Sequence, residues 1–120
     1  MSLEEKKQIL EKAVGLGLRR FRKPLLLINS GQAKGISPIT WYSMLSLIKY
    51  YISVKYKCII ETNWVDINTQ NNTTDLRWQV SVDILKGERM TDECDYEMFY
   101  SEFKALEAGV NAAFQMLDDA

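Results

Sequence analysis

The run Arg19-Arg20-Phe21-Arg22-Lys23 sets four cations around one aromatic ring. Guanidinium and ammonium groups bind phosphate oxygens and a ring stacks on a base, so this is equipment for a nucleotide, another phosphorylated ligand or single-stranded nucleic acid. The competing reading is a solvated helix end whose cations offset the helix dipole. Gly15-Leu16-Gly17 adds nothing, because a dinucleotide fingerprint follows a strand and needs a third glycine where Arg20 stands.

Catalytic chemistry is poorly supplied. The chain has no histidine, which excludes Ser-His-Asp triads, His-containing zinc sites and imidazole switches. Glu61, Asp66, Asp75 and Asp83 fall on or beside two strands. Glu61 and Asp83, if they share a solvent face, are a pair able to hold a divalent cation or act as acid and base, with no motif spacing to support it. Asp66-x-Asn68-x-Gln70 is not a calcium loop, since the sixth position lacks glycine and Arg77 stands where a bidentate Glu is required. Cys58 belongs to the core with Ile60, and Cys94 sits among Asp92, Glu93 and Asp95, whose charges oppose thiolate formation. No catalytic residue, metal ligand or cofactor is assigned, and the chain is expected not to be an enzyme.

The aromatics are the second resource. Trp41, Trp64 and Trp78 stand with six tyrosines in 120 residues, and most belong in a core. Tyr42 and Tyr50, with Trp41, are the candidates for an interface or a stacking wall, because a rigid ring with a polar tip suits both uses. The acidic run from Asp92 to Glu97, with Asp118-Asp119, reads as solvated surface or as a mimic of nucleic acid toward a basic partner.

Length and charge bound these options. One domain over 1–120 is expected, with 47% hydrophobic and 26% charged residues marking an ordinary globular chain. The net charge of −1 conceals an asymmetry. Residues 1–60 carry 11 basic against 3 acidic residues, a net +8, and residues 61–120 carry 4 against 13, a net −9. Such halves attract each other or present oppositely charged faces to partners. Two distant cysteines and a charged N-terminus point to a reduced, cytoplasmic protein, where the Asn71 and Asn72 triplets are irrelevant as glycosylation acceptors. The apolar run from Trp41 to Val54 falls short of the ~20 residues of a membrane span.

Elements must hold these residues in place. Ser2 caps a first helix with Leu3, Leu10, Val14 and Leu18 on one stripe, ending near residues 17–22 and carrying the basic cluster at its end, over 1–23. Residues 24–36 read as loop or short strand, with Leu25–Ile28 fitting a strand or a helical turn. Ser37-Pro38 opens a helix with Trp41, Met44, Leu45, Ile48, Tyr51 and Ile52 in register. Residues 56–67 and 76–85 alternate apolar and polar as half-buried strands, 94–99 makes a third, and Ser101 caps a closing helix with Leu106, Val110, Ala113 and Phe114 inward. The expected fold is α+β: a two-layer sandwich in which a three-stranded antiparallel meander packs against two to three helices.

The closing segment Tyr100-Ser-Glu-Phe-Lys-Ala-Leu-Glu-Ala-Gly109, then Ala112-Ala113-Phe114 and Leu117, resembles the terminal helix of small uncharacterised phage and mobile-element accessory proteins. The aromatic-rich helix running into a hairpin upstream is similar to that group too, although Phe103-Lys104-Ala105 departs from its usual Tyr-Glu-Glu-Ala. The resemblance, over about residues 37–118, implies an accessory role and transfers no catalytic residue. The expected function is a homodimeric, non-enzymatic accessory protein that binds a protein partner. The alternative is capture of a nucleotide or other phosphorylated ligand by Arg19–Lys23 and exposed tyrosines.

Overall fold

The computed structural model describes the backbone of residues 1–68, 74–86 and 89–119, and their side chains except at 67, 68, 74, 75, 86 and 89–97. The expectations for Asn71, Asn72, Asp75, Cys94 and the acidic run 92–97 therefore lie outside the described side chains. The chain divides into two compact units, 1–48 and 49–120.

In the first unit, α1 (Leu3–Gly15) begins in a capping box. The Glu5 amide donates to Ser2 Oγ at 3.2 Å and the Ser2 amide donates to Glu5 Oε1 at 3.1 Å, satisfying donors that the first turn leaves open. Of the expected stripe Leu3, Leu10, Val14 and Leu18, Leu10 is buried, together with Ile9 and Ala13; Leu3 and Val14 are half-buried, and Leu18 falls beyond the helix, which ends at Gly15. Gly17, at φ 111°, takes a left-handed conformation that ends the helix without strain. A 3₁₀ turn (Arg19–Phe21) then packs on α1 and leads into α2 (Arg22–Asn29). The basic cluster thus does not extend the first helix. Of the stretch 24–36, expected as loop or short strand, residues 24–29 are helical, since Pro24 sits in the first turn of α2 where its missing N–H costs nothing. Ser37 caps α3 (Pro38–Tyr56), accepting from the Thr40 amide at 3.3 Å.

The second unit is built on a three-stranded antiparallel sheet in the order β1-β2-β3, with β1 Cys58–Asn68, β2 Thr74–Lys86 and β3 Arg89–Phe99. Cys58 pairs with Ile84, Ile60 with Val82 and Thr62 with Val80. Cys58, Ile60, Val80, Val82 and Ile84 are accordingly buried on one face. Helix α4 (Glu102–Asp118) packs against all three strands through a stripe that includes Leu106, Val110 and Phe114. Its Ser101 cap accepts from the Lys104 amide at 3.2 Å. The α+β class and the meander expected from alternation are what the chain forms, the fold of a sheet with one apolar face to cover.

Helix α3 reaches β1 through one residue. Lys57 holds φ 55°, and its carbonyl accepts from the Leu85 amide at 3.1 Å. A left-handed conformation costs a side-chain-bearing residue roughly 1 kcal/mol. Lys57→Gly is therefore expected to stabilise the protein by about 0.5–1 kcal/mol, read as a rise of a few degrees in the thermal midpoint. A fall would show that the lysine stem contributes packing that outweighs the strain.

Candidate functional site

Arg19, Arg20, Arg22 and Lys23 are all exposed, and none is paired with a carboxylate among the described residues. Their position changes their electrostatic meaning. They stand at the start of α2, so their charges add to the positive end of that helix and do not offset a negative one. The sequence from Lys12 to Ile60 holds nine basic residues and no acid. That acid-free window was the sequence signal for this surface, stronger than the five-residue cluster alone.

Phe21 does not serve as a stacking ring. It is 2% exposed, because the 3₁₀ turn sends the cations outward and its ring inward, fastening the turn to α1. Beside the cations lies an open cavity of about 310 Å³. Leu27 and Ile28 of α2, Ala33 and Ile36 of the following loop and Met44 of α3 make its apolar wall, while Lys23, Ser37 and Thr40 bring its polar groups. The Ser37 hydroxyl donates to Thr40 Oγ1 at 2.8 Å.

Of the three interface candidates, Trp41 is a correction. It is fully buried, with Lys6 Nζ 5.6 Å from its ring centroid, as its place on the apolar stripe of α3 demands. Tyr42 and Tyr50 are exposed, at 39% and 69%. Beside them Ser46 donates its hydroxyl to the Tyr42 carbonyl and Ser53 to the Tyr50 carbonyl, so these serines spend their donors on their own helix.

A further aromatic surface went unread in the sequence. Trp64 has the parity of Cys58, Ile60 and Thr62, which places it on the core face, yet it is 62% exposed. The cause is where α4 starts: Thr62 Oγ1 donates to Glu102 Oε1 at 3.2 Å, at the first residue of the helix. The next pair along the strands, Trp64 and Trp78, begins the part of the face that α4 leaves uncovered, and Leu76 follows as an exposed residue. At the same end of the sheet, on the opposite face of β2, the Arg77 guanidinium stacks 3.7 Å from the ring centroid of Tyr100, itself exposed. Only the length of β1 relative to the Ser101 cap carried this in the sequence.

Glu61 and Asp83 do share the outer face of the β1–β2 pair, opposite Ser81 and Ile59 respectively. Among the described residues no group of three or more Cys, Asp or Glu gathers as a metal site would require. Cys58 lies in the core, where burial, and after it the charge of Asp83, pushes its thiol up to about 11. The folded state thus favours the neutral thiol. Its contribution to stability is full below the ordinary thiol pKa near 9 and is lost as pH rises from there through about 11. Cys58 is expected to resist iodoacetamide at pH 8 in the folded protein and to react in urea. Fast alkylation without denaturant would refute that.

Among the described residues no helix is long and apolar enough to cross a membrane. Neither a protein-family model, nor a curated protein, nor a solved structure matches the chain.

Proposed function

We propose that the protein is a non-enzymatic accessory protein, of the phage or mobile-element kind, that works by binding a protein partner and forms a homodimer. The observation that carries this reading is the uncovered end of the sheet. Tryptophan, tyrosine and arginine are the residues that dominate binding energy at protein interfaces. Here Trp64 and Leu76 are exposed on one face, and Arg77 stacked on exposed Tyr100 lies on the other, at the same end of the sheet. A tryptophan left 62% exposed forgoes burial that a partner restores.

The phosphorylated-ligand reading is weaker because Phe21 is buried and offers no ring. The two readings separate by affinity capture with three baits: wild type, Trp64→Ala, and Arg20→Glu with Arg22→Glu. Partners held by wild type and by the charge-reversed bait, and lost on Trp64→Ala with its thermal midpoint preserved, support the protein-binding reading. Partners retained by Trp64→Ala and lost on charge reversal overturn the placement of binding at the sheet end. Mass in solution tests the dimer directly, and a monomer at all accessible concentrations removes that part.

A further inference from the structure

We propose that the cavity between α2 and the start of α3 binds a small monocarboxylate with an apolar body, such as a medium-chain alkanoate. This goes beyond the protein-binding reading and uses none of its residues. The volume of about 310 Å³ lies at the lower end of the range for small-molecule sites, about 300–1,000 Å³. Leu27, Ile28, Ile36 and Met44 form an apolar wall that rewards burial of hydrocarbon.

The polar complement is small and of one sign. Lys23 supplies a single positive charge that no carboxylate among the described residues neutralises, and the acid-free window from 12 to 60 leaves no competitor within that segment. Thr40 Oγ1 already accepts from Ser37, which leaves its own O–H as a donor. One ammonium and one hydroxyl suit the two oxygens of a carboxylate. A phosphate dianion has three acceptor oxygens and a second charge, which this pair does not meet. The placement of Lys23 in the first turn of α2 is unfavourable for the free protein, and a bound anion relieves it.

The probe is octanoate, followed by titration calorimetry and thermal shift, with octanol as the uncharged control and inorganic phosphate as the anion without a body. Octanoate is expected to bind one per chain, and octanol about tenfold or more weaker, the value of one charge-assisted contact. Lys23→Gln is expected to reduce octanoate to the affinity of octanol. Met44→Trp fills the cavity and abolishes binding of both; Ala33→Leu does the same from the loop and serves if Met44→Trp fails to fold by circular dichroism. The proposal is overturned if octanoate gives no binding at millimolar concentration, if Lys23→Gln leaves its affinity unchanged, or if binding survives a folded cavity-filling variant. It is equally overturned if phosphate binds as tightly as octanoate, because the apolar wall then plays no part.

Discussion

Trp41→Ala is expected to lower stability by about 3–5 kcal/mol, the range for truncating a fully buried aromatic side chain. The ring is 0% exposed and is the largest side chain at that level of burial. The vacated volume is too great for neighbours to close, so loss of transferred surface and a residual cavity both count. A domain of this size holds about 5–15 kcal/mol in total, so the variant sits near its unfolding threshold. Urea unfolding followed by far-UV circular dichroism reads the difference. A loss under about 1 kcal/mol would place Trp41 at the surface and return it to the interface that its neighbours Tyr42 and Tyr50 suggested.

Gly109→Ala tests the join between helix and sheet. Alanine gains about 1 kcal/mol of helix propensity over glycine, so at an open position it would stabilise. Here a Cβ would stand 2.6 Å from Val80 Cγ2 and 2.7 Å from Ile60 Cγ2. Both contacts are methyls of β-branched side chains, stiff about χ1 and buried in the sheet's apolar face, so they have nowhere to turn. Overpacking of this kind costs roughly 1–3 kcal/mol, and the net expectation is a loss of about 1–2 kcal/mol. Val80→Ala in the same chain removes the nearer methyl and should make the alanine at 109 less harmful than it is alone, a coupling that a double-mutant cycle measures. Additive losses would mean that the helix moves outward freely and the close approach is not required.

Much of the architecture was legible because it rests on local chemistry. Ser2, Ser37 and Ser101 each sit before an apolar run, and each accepts an amide of the first turn. The alternation through Leu76–Leu85 has one solution, a strand with Val80, Val82 and Ile84 inward. The candidate site was less legible because side-chain direction there depends on tertiary geometry. Phe21 reads as one of five neighbours in a basic cluster until a 3₁₀ turn, which no propensity announces, points it at α1. Trp64 obeys the parity of its strand and is exposed only because α4 starts level with Thr62. Trp41 shows the reverse case: its place on the apolar stripe outweighed its aptitude for an interface.

The order β1-β2-β3 means that every pair of strands joined by hydrogen bonds is also consecutive along the chain. Only residues 69–73 separate the first pair of strands and 87–88 the second, so each pairing joins strands close in the chain at little entropic cost. No strand waits for a distant partner. Within the second unit, a contact of high sequence separation is the return of α4 to β1, where Glu102 meets Thr62 forty positions away. Mixed domains with predominantly local pairing fold between the fast helical bundles and the slow all-β barrels. The meander can thus assemble by hairpin steps of microseconds, and the rate at which the second unit forms becomes the rate at which α4 finds the face prepared for it.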